Sequence, residues 1–116
     1  MRRLALIVML VALAAGPALA DARSDARTRV EFGIKVAQRG LWREAIFQWE
    51  RAVKVDPSYA SAYNNLGIAY ENTGDLEKAR VAYERALELE PDNVLIRQNY
   101  ELFREINDRT TRQGTR

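Results

Sequence analysis

The stretch AYNNLGIAYENTGDLEKARVAYERALELEP, residues 62–91, carries the strongest pattern in this chain. Its most distinctive positions are Leu66-Gly67, Ala79, Tyr83, Ala86 and Pro91. Residues of the same kind stand 34 positions earlier, at Phe32-Gly33, Ala45, Trp49, Ala52 and Pro57. A repeat of this length with helical hydrophobic spacing predicts helix hairpins that stack side by side.

The spacing of apolar residues predicts an all-α chain with helices over residues 27–38, 42–55, 59–72, 76–89 and 94–107. Gly40 and Gly74 are expected to end the first and third helices in the left-handed conformation. Pro57 and Pro91 end the second and fourth, because proline cannot continue a helix. Polar residues are predicted to cap the helices that follow: Ser58, Asp75, and Asp92 or Asn93.

The first 20 residues have the pattern of a secretory signal peptide. Arg2-Arg3 precedes the apolar run Leu4–Ala15, and Ala18-Leu19-Ala20 forms a cleavage site before Asp21. The run is shorter than the roughly 20 apolar residues of a membrane span. Cleavage is therefore favoured over the alternative, a retained anchor, and the protein is expected to be exported to the periplasm or secreted.

Cleavage after Ala20 would leave 96 residues, which suits one small domain. The predicted organisation is a signal peptide at 1–20, a polar lead-in at 21–26, hairpins at 27–59 and 60–93, a capping helix at 94–107 and a flexible tail at 108–116.

Composition argues against catalysis and against binding of nucleic acid. The chain has no His and no Cys, so the commonest acid–base group and metal ligands are missing. Removing Arg2 and Arg3 would reduce the 18 basic residues to 16, which equals the 16 acidic residues. We therefore predict no enzyme activity, no cofactor, no metal, no nucleic-acid partner and no stable membrane association after cleavage.

The repeat resembles the tetratricopeptide repeat (TPR) family. Every position of that family's pattern is filled in the second copy, by Tyr63, Leu66-Gly67, Tyr70, Ala79, Tyr83, Ala86 and Pro91. The first copy departs from it at Arg29 and Val36, where aromatic residues are usual. Tyr100 and Glu101 replace Leu-Gly after Pro91. The resemblance implies a short α-solenoid of two hairpins and one capping helix.

The resemblance also implies a concave groove that binds an extended peptide or a helix. The groove residues, carried over by position, are Arg27, Val30, Glu31, Ile34, Ala37, Gln38, Ser61, Asn64, Asn65, Ile68, Glu71, Asn72, Leu95, Gln98, Asn99, Leu102 and Ile106. Ile34, Ile68 and Leu102 recur at 34-residue spacing and are expected to form an apolar ladder. The alternative is that these side chains only pack between helices. The carboxylate clamp of some relatives is absent, because its positions hold Val30, Ile34, Leu95 and Asn99.

These features predict an adaptor or assembly subunit of the bacterial cell envelope that binds a protein partner. The alternative is a structural protein that associates with itself through its open repeat ends or an outer apolar patch. That patch consists of Phe47 and Val81, which occupy one repeat position where a polar residue is usual. A third interpretation is that Phe47 only packs against the stem of Arg43 or Arg51.

Overall fold

The computed structural model describes residues 16–114, with side chains from residue 18 onward. Five helices follow one another within this range, and none of its residues lies in a strand. They are α1 (Gly16–Ala37), α2 (Trp42–Val55), α3 (Ala60–Thr73), α4 (Leu76–Leu89) and α5 (Val94–Gly114). The all-helical prediction is confirmed for this part of the chain. The bounds of α2 and α4 match the predicted bounds, and α3 is displaced by one residue.

The first helix begins well before the predicted start at Arg27. Residues 21–26, predicted as a polar lead-in, are helical, and Ala26 is fully buried in the core. An ion pair between Asp25 and Arg29, 3.2 Å long, joins successive turns there. Most residues of this segment are polar, which is why it was predicted as a lead-in. One side of it nevertheless packs against the core of the helix stack, through Ala26. The remaining predicted signal residues, 1–15, lie outside the described part.

The fifth helix continues through most of the predicted tail. Residues 108–114 are helical, although they were predicted to be flexible. The Thr110 hydroxyl donates to the carbonyl of Ile106 at 3.0 Å, and Arg109 pairs with Glu105 one turn earlier. No glycine or proline interrupts the helix between Val94 and Gly114, so nothing local ends it sooner.

Gly40 and Gly74 end the first helices of the two hairpins as predicted, with φ angles of +78° and +81°. In each case the following amide bonds back across the last turn, from Leu41 to Val36 at 3.1 Å and from Asp75 to Tyr70 at 2.8 Å. This pattern satisfies carbonyls that would otherwise lack a partner.

Two of the three predicted N-terminal caps, Asn93 and Asp75, lie immediately before their helices, and the third, Ser58, does not. Asn93 caps α5, because its side-chain oxygen accepts from the Ile96 amide at 3.2 Å. Asp75 precedes α4, but its side chain makes no capping bond. Ser58 does not cap α3: Tyr59 takes that position, and Ser58 donates both its amide and its hydroxyl to Asp56.

A large aromatic residue holds each hairpin together by lying on a glycine. Trp49 of α2 lies on Gly33 of α1, and Tyr83 of α4 lies on Gly67 of α3. A Cβ added at Gly67 would come within 2.7 Å of the Tyr83 ring carbons. The rings of Trp49 and Tyr83 are buried, so they have little room to move aside.

Hydrogen bonds from aromatic side chains join every pair of consecutive helices. The Trp49 indole donates to the Val30 carbonyl at 3.0 Å between α1 and α2. Tyrosine hydroxyls donate to glutamates across the next three junctions: Tyr70 to Glu50, Tyr83 to Glu71, and Tyr100 to Glu84. Each bond satisfies a polar group of a side chain that otherwise packs in the core.

The turn between the two hairpins is fastened to the start of α1. Arg23 donates to the Asp56 carboxylate and, at 3.1 Å, to the Ser58 hydroxyl, and its guanidinium lies 4.6 Å from the centre of the Tyr59 ring. Burial alone would raise the pKa of Asp56, but hydrogen bonds from Ser58 and Arg23 outweigh it and lower that pKa.

We expect Gly67→Ala to lower the free energy of unfolding by about 1–3 kcal/mol, because the added methyl group overpacks the Tyr83 ring. At a helical site with free space around it, replacing glycine by alanine would instead raise the free energy of unfolding by up to about 1 kcal/mol. Urea denaturation measures the change in the free energy of unfolding. Gly114→Ala is the control, because its added Cβ meets no atom within 4 Å apart from its chain neighbours and the backbone of its own helix. Stabilisation by Gly67→Ala would contradict the packing described here.

The stability contributed by the Asp56 carboxylate should depend on pH. Its pKa is lowered in the folded chain, so the contribution is full above the ordinary value of 3.8 and is lost as the pH falls through the folded value. Asp56→Asn should therefore destabilise the protein at neutral pH and have a smaller effect in acid. Urea denaturation over a pH series tests this; an effect that is constant down to well below pH 3.8 would refute it.

Candidate functional site

The first helices of the repeats form one face of the molecule. Helix α3 contacts both α1 and α5, so the three lie side by side. We call the surface they share the first-helix groove. Part of it is an open depression of about 340 Å³ between α1 and α3, lined by Ile34, Ala37, Gln38, Trp42, Trp49, Asn65 and Ile68.

Most of the predicted groove residues are accessible in this arrangement. Ten are exposed: Arg27, Glu31, Ile34, Gln38, Ser61, Asn72, Leu95, Gln98, Leu102 and Ile106. Five are half-buried: Ala37, Asn65, Ile68, Glu71 and Asn99. The two remaining residues, Val30 and Asn64, are buried. The groove therefore has accessible side chains from all three first helices.

Val30 and Asn64 support the groove from below and do not line it. The Val30 side chain packs in the core, and its carbonyl accepts from Trp49. The Asn64 side-chain oxygen accepts from the Asn99 amide at 3.1 Å, which ties α3 to α5. The sequence places both on the correct helices, but burial removes their side chains from contact with a partner.

The predicted apolar ladder is divided in two. Ile34 and Ile68 line the same depression between α1 and α3. Leu102 lies outside that depression, on α5, where Leu95 and Ile106 are also exposed. These three leucine and isoleucine side chains recur at positions i, i+7 and i+11, which follow one side of a helix. The groove thus offers two apolar areas, one between α1 and α3 and one along α5.

No charged side chain lines the depression between α1 and α3. The amide groups of Gln38 and Asn65 provide its polar character, and each can both donate and accept hydrogen bonds. Glu71 lies on α3 nearby, but its carboxylate accepts from the Tyr83 hydroxyl. Such a surface suits an uncharged segment with aliphatic side chains and an accessible backbone.

The outer patch predicted from Phe47 and Val81 consists of two separate areas. Both side chains are exposed, Phe47 by 54% and Val81 by 64%, but they line different depressions. The Arg51 guanidinium lies 5.5 Å from the centre of the Phe47 ring. Arg51 is one of the two arginines against which the third interpretation placed Phe47. The sequence did not predict the depression of about 650 Å³ beside Val81, whose floor includes Tyr63 and Leu66.

Residues 16–114 offer no group of three or more His, Cys, Asp or Glu residues that could hold a metal ion. Among the helices of this same range, none combines the length and the hydropathy needed to cross a membrane.

Two antiparallel helix hairpins and a final single helix define a helical repeat protein. Comparison with family models agrees: one described as "Tetratricopeptide repeat" matches residues 60–93, and one described as "TPR repeat" matches residues 36–74. The chain belongs to the tetratricopeptide repeat family.

Curated relatives match the chain over part of its length. It is 38% identical over 65 residues to the chloroplastic tetratricopeptide repeat domain-containing protein PYG7 of Arabidopsis thaliana, covering 56% of this chain and 22% of that protein. It is 40% identical over 50 residues to the heat shock protein STI1 of Saccharomyces cerevisiae, covering 43% of this chain and 8% of that protein. The chain thus spans less than a quarter of either relative.

Among solved structures, the first TPR of Spaghetti (RPAP3), bound to an HSP90 peptide, aligns with a TM-score of 0.46. The sequence identity is 23%, and the alignment covers 74% of this chain and 95% of that one.

Proposed function

We propose that this chain is a non-enzymatic protein-interaction module that binds a peptide or a helix of another protein in the first-helix groove. The observation that carries the proposal is the exposure of apolar and amide side chains along α1, α3 and α5. Membership of the tetratricopeptide repeat family supports it, because such repeats commonly act by presenting a surface to a partner.

The depression between α1 and α3 and the apolar stripe of α5 favour an uncharged, aliphatic partner segment. The depression between α1 and α3 has no charged lining, and the exposed stripe of α5 consists of Leu95, Leu102 and Ile106. Burial of apolar area would therefore supply most of the affinity. Binding of this kind depends only weakly on salt, unlike capture of a charged peptide.

We further propose that the protein acts in the bacterial cell envelope, after export and cleavage between Ala20 and Asp21. The pattern of Arg2-Arg3, Leu4–Ala15 and Ala18-Leu19-Ala20 supports this location. Cleavage there would shorten α1 by its first five residues, 16–20, and would leave the contact between Arg23 and Asp56 in place.

Mass spectrometry of the protein recovered from its native cells tests the processing. The expected mature chain begins at Asp21 and has 96 residues. Substitution of Ala20 by a large residue should block cleavage and leave the full chain, since the site requires small side chains. Recovery of an unsubstituted chain that retains residues 1–20 would refute cleavage and favour the alternative of an anchor.

Photo-crosslinking in native cells tests the groove. A photoreactive residue placed at Ile34, Ile68 or Leu102 should form a discrete adduct with another protein. An adduct with a second copy alone would favour the self-associating alternative. Absence of adducts from all three positions would contradict a role for the groove.

A matched pair of substitutions on α5 tests the same groove without crosslinking. Leu102→Arg should weaken binding of the crosslinked partner about tenfold or more, because it places a charge within an apolar contact. Glu101→Arg introduces the same residue one position away, on the side of α5 turned toward solvent, and should have little effect. Affinity measured by calorimetry, with helicity as the folding control, distinguishes the two. Equal losses in both variants would contradict the proposed site.

A further inference from the structure

Trp42 is a groove residue that the repeat positions did not predict. It belongs to α2, a second helix, yet it lines the depression between α1 and α3 together with Ile34 and Ile68. It also lines a neighbouring depression of about 400 Å³ beside Gly40. The residue is half-buried and packs against the core. Trp42 therefore stands where the two depressions meet.

The indole N–H of Trp42 makes no hydrogen bond within residues 18–114. In that range, Arg29 Nε is the only buried side-chain nitrogen or oxygen without a hydrogen-bond partner, so the Trp42 N–H is accessible. The other tryptophan, Trp49, lines the same depression, but its N–H donates to the Val30 carbonyl at 3.0 Å. A partner that covers Trp42 must therefore offer this N–H an acceptor.

Two side-chain amides beside Trp42 are free in the same way. Gln38 and Asn65 line the depression, and neither side chain makes a hydrogen bond to the rest of the described chain. The nearby amide of Asn72 is engaged instead, because it donates to the Ile68 carbonyl at 2.8 Å. The depression thus combines aliphatic side chains with three polar groups that await a partner.

These three polar groups favour an extended occupant over a helical one. Covering a polar group without giving it a hydrogen bond costs about 1–3 kcal/mol. The Trp42 N–H needs an acceptor, and the amides of Gln38 and Asn65 can each use an acceptor and a donor. The backbone of an extended segment can supply both, whereas the carbonyls and amides of a helix are already bonded to one another.

The junction between α3 and α5 differs in chemistry from the junction between α1 and α3. Leu76 stands 34 residues after Trp42 and has no hydrogen-bonding group in its side chain. Asn99, the counterpart of Asn65, already donates its amide to Asn64 at 3.1 Å. The free polar groups of the first junction therefore have no equivalent at these positions of the second.

We propose that Trp42 determines the specificity of the first-helix groove for an uncharged, extended segment of a partner protein. Its ring packs on an aliphatic side chain that enters between Ile34 and Ile68, and its indole N–H donates to a backbone carbonyl of the same segment. Gln38 and Asn65 bond to neighbouring backbone groups. This assignment rests on the proposed function of the groove, to which it adds a residue of α2 and the conformation of the partner.

Nuclear magnetic resonance of the isotope-labelled full chain tests the donor directly, because its two tryptophans give two indole N–H signals. The probe is a blocked pentapeptide of alternating serine and leucine, and the control peptide has aspartate in place of leucine. The serine–leucine peptide at millimolar concentration should shift the Trp42 signal and leave that of the buried Trp49 unchanged. An unchanged Trp42 signal, or equal shifts with the two peptides, would overturn the proposal.

A pair of conservative variants separates hydrogen bonding from packing. Trp42→Phe keeps an aromatic ring but removes the N–H, so it should weaken binding of the serine–leucine peptide about fivefold. Leu76→Phe introduces the same residue at the counterpart position and should leave the affinity unchanged. The affinity is measured from the backbone amide signals of Ile34 and Ile68, which both variants retain. Full affinity in Trp42→Phe, or equal losses in the two variants, would overturn the role of the indole N–H.

Transferred nuclear Overhauser effects report the conformation of the bound peptide. The proposal predicts strong contacts between each Hα and the next amide proton, as in an extended chain, and a helical bound peptide would overturn it. Photo-crosslinking at Ile34 and Ile68 tests the groove independently. Adducts there, combined with an unchanged Trp42 signal, would overturn the role of Trp42 and leave the function of the groove in place.

Discussion

The contact between one large aromatic ring and one glycine is the constraint on which this structure depends. Trp49 on Gly33 and Tyr83 on Gly67 let the two helices of each hairpin approach more closely than any side chain at the glycine would allow. Close approach buries the small residues Ala45, Ala52, Ala79 and Ala86 along the same junctions. The same contact recurs in the two hairpins at the 34-residue period of the sequence.

Stacking of like hairpins explains why the chain presents more than one candidate surface. A stack aligns its first helices, so α1, α3 and α5 share a groove. It also has two ends, and at the N-terminal end the Phe32 side chain is 51% exposed. At the other end, α5 turns Arg97, Glu101, Arg104 and Asp108 to solvent, as a capping helix requires. The two ends are therefore chemically different, polar at one and apolar at the other.

The sequence predicted the bounds of the helices in the middle of the chain better than the start of the first helix and the end of the last. The bounds of α2 and α4 follow from glycine and proline signals that act locally. The start of α1 and the end of α5 have no such signal. They depend on tertiary contacts such as that between Arg23 and Asp56, or on side-chain bonds along one helix. The period placed the groove residues on the right helices, but it did not reveal that Asn64 is paired with Asn99, 35 residues away.

A double-mutant cycle between positions 67 and 83 tests the central constraint most directly. The free energy of unfolding is measured for the original chain, Gly67→Ala, Tyr83→Leu and the double variant. If the ring lies on the glycine, the smaller leucine leaves room for the added methyl group. Gly67→Ala should then cost about 1–2 kcal/mol less in the Tyr83→Leu background than in the original chain. Equal costs in both backgrounds would contradict the account.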